Sequence, residues 1–170
     1  MDKSKHLESA IKTHQITKEE ALLQKFKDKN KEVKEVLEKH YGDKIYSPFN
    51  SGSYAKNTAV NTKFDFDLVS PFKRNAFGAN GTLKEMYEDV HDFLNGEYGS
   101  LAYIKKQKVS IGIEFYADSE GDVVKIDVVP GREFNQDQYK NDQNLNLYVY
   151  GSVTKVGEKS LKELTLLYEQ

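Results

Sequence analysis

Cysteine is absent from the 170 residues, which excludes both a disulfide framework and a thiolate metal site. Tryptophan is absent as well, proline occurs three times and glycine eleven, so neither a collagen-like repeat nor a Pro/Gly-rich disordered chain is encoded. No apolar run approaches the roughly 20 residues that span a bilayer. The first residues, Met1-Asp2-Lys3-Ser4-Lys5-His6, are polar and lack the apolar centre of a signal peptide, so a cytoplasmic protein without a membrane partner is expected. Charge of one sign is also missing. With 25 basic and 27 acidic side chains the net charge is -2, which supplies no global basic field and argues against stable binding of duplex nucleic acid.

What is present fits one packed core. Hydrophobic residues make up 38% of the chain, enough for a single domain over residues 1–170 and too little for two. Thr17 with Glu20 three residues on reads as a helix start and Gly42 as its stop. Between them Leu22, Phe26, Val33, Leu37 and Tyr41 form one apolar stripe. Ile45 to Phe49 reads as a strand, and Pro71 is expected to end the pairing of the strand before it. Asn75 to Gly81 reads as a loop. Thr82-Leu83-Lys84-Glu85 is a capping box that opens a second helix, with its stop at Asn95-Gly96. Val109, Ile111, Ile113 and Phe115 alternate toward a core, and Asp118 to Asp122 turns the chain back into Val123 to Val129, a hairpin over 108–129. Arg132 to Asn144 reads as a long polar loop, Leu145 to Tyr150 as a strand, and Gly157 to Gln170 as a closing helix carrying Leu161, Leu164 and Leu167. The histidines His6, His14 and His40 show no ligand spacing.

One stretch carries the chemistry. Gly52 to Asp67 begins in a small-residue turn and ends in two acids one residue apart. In a strand, Phe64, Phe66 and Leu68 point to a core and leave Asp65 and Asp67 together on the other face. Paired carboxylates beside a low-dielectric core repel unless a cation lies between them, and hard oxygen ligands suit Mg²⁺. The backbone N–H groups of Ser51-Gly52-Ser53, with the Ser53 hydroxyl, can cradle phosphate oxygens. A third acid, Asp127, is embedded in the β-branched run Val123 to Val129. Lys73-Arg74 adds positive charge at the exit of the Asp-x-Asp strand, suited to a phosphate or simply to a solvated loop.

Together the Gly-Ser turn, the Asp65-Phe66-Asp67 strand and Ile126-Asp127-Val128-Val129-Pro130 resemble the signature of the DNA polymerase β-like nucleotidyltransferase superfamily. Gly52-Ser53-Tyr54-Ala55-Lys56-Asn57-Thr58 is most similar to its cyclic-oligonucleotide and oligoadenylate synthases. Asn57 stands where those synthases usually carry glycine. The resemblance covers roughly residues 45 to 130. It implies an α/β (α+β) catalytic lobe, with a mixed, mostly antiparallel sheet of about five strands and helices packed on one face. It also implies Asp65, Asp67 and Asp127 as catalytic acids and ligands of Mg²⁺ (or Mn²⁺), and Gly52, Ser53 and Thr58 as groups that hold an NTP substrate. The implied reaction moves a nucleoside monophosphate to a hydroxyl and releases pyrophosphate, as in antiviral signalling. Two alternatives remain open: a minimal transferase that modifies a protein, RNA end or small molecule, and a regulatory module of the same fold. The helical carboxy-terminal lobe of the synthases is expected to be absent, so that the chain is either a catalytic lobe separated from that missing lobe or a minimal transferase that uses a partner protein for the missing wall.

Overall fold

The computed structural model describes residues 3–51, 67–151 and 159–160, with side chains over 18–51 and 67–151. Between Lys3 and Tyr41 the sequence has neither proline nor glycine, and the whole of it forms one helix, α1 (Lys3–Tyr41). The expected start at Thr17 is therefore corrected. A capping pair cannot end a helix when the residues before it are themselves helix formers. The expected stop holds: Gly42 takes φ +53, a left-handed conformation open to glycine without steric cost. Phe26, Val33, Leu37 and Tyr41 are buried on the expected stripe, with Leu22 packed partly against them.

The second helix, α2 (Leu83–Tyr98), opens on Thr82, whose hydroxyl accepts the Glu85 N–H while the Glu85 carboxylate accepts the Thr82 N–H. It runs past the expected stop at Asn95-Gly96 because Tyr98, buried and packed edge-on against Phe115, anchors a further half turn. Its apolar face, Leu83, Met86, Tyr87, Val90 and Leu94, is buried. Truncating a fully buried member such as Leu94 to alanine should cost about 3 kcal/mol.

Both helices cover one face of a mixed sheet. Its strands are β1 (Phe49–Ser51), β2 (Asp67–Phe72), β3 (Ala102–Lys106), β4 (Ile111–Phe115), β5 (Lys125–Glu133), β6 (Leu145–Leu147) and β7 (Lys159–Ser160). The order is β1-β2-β5-β4-β3, with β6 on β5 and β7 on β6. Among the described residues only β2 and β5 run parallel; every other pairing is antiparallel. The mostly antiparallel α/β lobe with helices on one face is thus the architecture found, with seven strands described rather than about five. Strand β5 is long enough to serve two neighbours in turn, pairing with β4 over Lys125–Val128 and with β6 over Gly131–Glu133.

Several boundaries differ from those expected. Ile45 makes only an isolated bridge to Phe72, and regular pairing begins at Phe49. Pro71 does not end β2: it sits where the pairing slips by one residue between Phe49↔Val69 and Ile45↔Phe72, a bulge that tolerates the missing N–H. Val109 lies outside β4 and packs with Val69, Val129, Leu145 and Leu147 in a small cluster on the other face of the sheet. Within 132–144, β5 continues to Glu133 and Tyr139–Asp142 forms a single turn, α3. The strand expected over 145–150 ends at Leu147. Lys159–Ser160 pairs with β6 as a strand, not a helix; Gly157 and the remainder of that expected helix, with Leu161, Leu164 and Leu167, lie outside the described residues.

Candidate active site

Strands β2 and β5 share a pattern that separates apolar from acidic positions. In β2, Leu68 and Phe72 enter the core under the helices; in β5, Ile126 and Val128 do the same. Alternation then turns Asp67 and Val69, and Asp127 and Val129, to the opposite face. There the valines pack with Leu145 and Leu147, and the aspartates stand half-buried at the strand starts.

The register brings the two aspartates together. Asp67 pairs with Asp127 across the parallel ladder, and neighbouring strands lie about 4.8 Å apart, so the carboxylates project side by side from one face. The row continues in both directions: Ser51 faces Asp67 on β1, and Gly112 faces Asp127 on β4, with Lys105 beyond it on β3. Like charges opposed on adjacent strands are destabilising unless something compensates them. Their oxygens are hard donors, of the chemical type that divalent cations such as Mg²⁺ or Mn²⁺ take. Asp65, Gly52, Ser53 and Thr58 lie outside the described residues.

Gln107 occupies the turn between β3 and β4, and its Nε2 donates to Asp127 Oδ1 at 3.1 Å. The Ser110 hydroxyl donates in turn to Gln107 Oε1 at 2.8 Å. This turn is pinned from α2. The hydroxyl of Tyr87, a wholly buried side chain, accepts the Gln107 N–H at 3.0 Å and lies 2.9 and 2.8 Å from the Gln107 and Ser110 carbonyl oxygens. Burial pushes the Tyr87 hydroxyl up to about 12, so it keeps its proton across the neutral range.

Next along the same face, Glu114 is paired with Lys125 at 3.0 Å and reached by Lys105 at 3.7 Å. The Lys125 ammonium above all holds the Glu114 carboxyl below its ordinary range. Arg74, considered as a phosphate contact, donates from Nη1 to the Phe134 carbonyl at 2.6 Å. Its backbone N–H donates to Glu133, a carboxylate with no exposed surface that also accepts the Tyr46 hydroxyl at 2.9 Å. Burial works to raise Glu133, but the hydrogen bonds from the Arg74, Asp137 and Tyr139 N–H groups and from Tyr46 outweigh it and hold the carboxyl low. Arg74 and Glu133 thus tie the segment after β5 to the end of β2.

Acids also gather elsewhere among the described residues. Asp118, Glu120 and Asp122 converge at the tip of the β4–β5 hairpin, and Glu88, His91 and Asp92 on α2. The first group is filled by Lys25 of α1, bonded to Asp118 and Asp122 at 2.7 Å each and to Glu120. In the second, Lys106 takes Glu88 and Asp92 meets His91 at 2.9 Å. A cavity of about 260 Å³ beside the Lys25 cluster is lined by α1 and hairpin residues, and its lining does not include Asp67 or Asp127.

Reasoning from sequence did not find Gln107, Ser110 or Glu133. The available signal was Gly112, a glycine inside an otherwise alternating strand, which marks close approach of another group.

No protein-family model and no curated protein matches the chain. Its fold does match solved structures. The CdnE cyclic dinucleotide synthase of Elizabethkingia meningoseptica, with GTP and Apcpp, superposes with a TM-score of 0.54 at 16% identity, over 78% of this chain and 47% of that one. CdnC of E. coli MS115-1, solved with ATP, gives 0.53 at 19% identity over 86% and 45%. The same CdnC in complex with HORMA-deltaN gives 0.52 at 20% identity over 86% and 44%. The chain therefore spans less than half the length of the synthases whose fold it shares. Among the described residues no helix is long and apolar enough to cross a membrane.

Proposed function

Starting from a fold shared with cyclic dinucleotide synthases, we propose that this chain is the catalytic lobe of a nucleotidyltransferase. It transfers a nucleoside monophosphate from an NTP to a hydroxyl, making a linear or cyclic oligonucleotide of the kind used in antiviral signalling. The observation that carries this reading is the pairing of Asp67 with Asp127 in one row and on one face of adjacent parallel strands. Two carboxylates placed in register on one face of adjacent strands are the arrangement that a shared divalent cation requires.

In this reading Asp65, Asp67 and Asp127 hold Mg²⁺ or Mn²⁺, which when bound neutralises phosphate charge and makes a hydroxyl easier to ionise. The attacking hydroxyl oxygen forms a bond to the α-phosphorus, the bond to the bridging oxygen breaks, and pyrophosphate leaves. Asp127 orients the acceptor hydroxyl and takes up its proton, while Gly52, Ser53 and Thr58 grip the phosphates. The opposite wall of the cleft comes from a further lobe or a partner protein, so nucleotide binding by this chain alone should be weak.

Incubation with Mn²⁺ and labelled NTPs, with and without a candidate partner, tests the reading. Label in oligonucleotide supports it. Label in a macromolecule points instead to a modifying transferase. An Asp67→Asn/Asp127→Asn variant as active as the parent chain would overturn the assignment of these acids.

A further inference from the structure

Asp127 is held by a device that the polymerase-like motif does not contain. Its carboxylate, when ionised, can only accept, so the Gln107 atom 3.1 Å from Oδ1 is the amide nitrogen. The amide oxygen then faces Ser110, whose hydroxyl donates to it at 2.8 Å. The two bonds fix both the rotation of the amide and the side from which it meets the acid. Gln107 lies beyond the end of β3, and to reach β5 its side chain must pass over β4. It does so above Gly112, the residue in register with Asp127. A Cβ on Gly112 would fall inside contact distance of Gln107 Nε2 and 3.2 Å from Asp127 Oδ1. The absent side chain is therefore what opens the passage.

We propose that Gln107 is the positioning residue for Asp127, aimed by Ser110 and admitted by Gly112. Through it, the turn pinned by Tyr87 sets the orientation in which Asp127 meets a divalent cation. This deepens the proposed function and rests on Asp127 being a metal ligand. A neutral amide is chemically suited to such a role because it fixes the plane of a carboxylate without discharging it, whereas a lysine or arginine there would compete with the cation. Groups that orient a ligand from behind typically contribute 10- to 100-fold in metal affinity or activity.

The experiment is Mn²⁺ titration of the full chain, read by the loss of the free-ion electron paramagnetic resonance signal. The proteins compared are the parent chain, Asp127→Asn, Gln107→Leu, Gly112→Ala and the Gln107→Leu/Gly112→Ala pair, each checked for fold by circular dichroism. Gln107→Leu keeps the bulk and removes the donor. Expected is a loss of Mn²⁺ affinity of about tenfold or more for Gln107→Leu, a similar loss for Gly112→Ala, and no further loss in the pair, because both changes break one contact. Ser110→Ala should lose less. A purely structural role would lower the melting temperature and leave the Mn²⁺ affinity within twofold of the parent; that result, or additive losses in the pair, overturns the proposal. If Gln107→Leu is silent while Asp127→Asn abolishes binding, the positioning role fails and the proposed function stands. If Asp127→Asn is silent too, both fall.

Discussion

Two sets of carboxylates on this sheet are handled in opposite ways. At the tip of the β4–β5 hairpin, Asp118, Glu120 and Asp122 close on the single ammonium of Lys25, which pulls the Asp118 carboxyl down to about 2 and pushes the lysine well above its ordinary range. In the β2–β5 row, Asp127 accepts a hydrogen bond from the neutral amide of Gln107, a contact that orients the carboxylate without itself neutralising it. Glu133 shows the same principle used for architecture: a wholly buried carboxylate held by N–H groups and a tyrosine hydroxyl. The contrast teaches that clustering alone does not identify a working acid. At the hairpin the charge goes to a lysine that staples α1 in place, whereas a neutral amide can orient a carboxylate without discharging it.

The comparison can be broken most decisively at the row. Asp127→Asn or Asp67→Asn should lower nucleotidyl transfer on the order of a thousandfold while the far-ultraviolet circular dichroism stays unchanged; product formation with labelled NTP is the measurement. Glu133→Leu should leave the Tyr46 hydroxyl and the Arg74 N–H without their acceptor and cost on the order of 3 kcal/mol in urea unfolding. A cost below about 0.5 kcal/mol would mean that the loop after β5 finds other partners. Acid adds a third handle. Because the folded carboxyls of Glu133 and Asp118 are depressed, their contributions are complete above the ordinary carboxylate range near pH 4 and are lost as pH falls through the lowered values, toward 2 for Asp118. In Glu133→Gln the stability profile below pH 5 should be flatter than in the parent. The smallest effect is expected at the hairpin: Lys25 is partly exposed, so Lys25→Met should lower the melting temperature by less than about 5 °C, and the deficit should shrink as salt screens the three acids. The raised Lys25 contributes fully below its ordinary range and loses its contribution only as pH rises through the folded value, so alkaline titration to pH 9 should not affect it.

Much of the framework is legible in local patterns. The stripe from Phe26 to Tyr41, the capping box at Thr82 and the alternation through Ile111–Phe115 and Ile126–Val128 each follow from one periodicity, and each is found. Features that depend on distant partners are not. Strand β3 (Ala-Tyr-Ile-Lys-Lys) is too short and too weakly alternating to be read as a strand on its own, and it takes its place only beside β4. Thr17 and Glu20 form a start signal that the surrounding helix formers override. For the site, alternation predicts that Asp67 and Asp127 leave the core, but their common row is a matter of register between separate strands, which no local pattern encodes. Gln107 is still harder to find, since its role depends on an empty space above Gly112, a residue whose neighbours are set by strand pairing and not by the motif that would suggest looking there.

The parallel ladder in this sheet also bears on how the chain folds. Strands β2 and β5 cannot be joined by a short turn; α2, β3 and β4 lie between them in sequence. Closing so long a loop is entropically slow, whereas the β3–β4 and β4–β5 hairpins can form early and locally. Asp67 and Asp127 are therefore expected to meet only in the last stage of assembly, when β2 and β5 pair and the candidate site is completed.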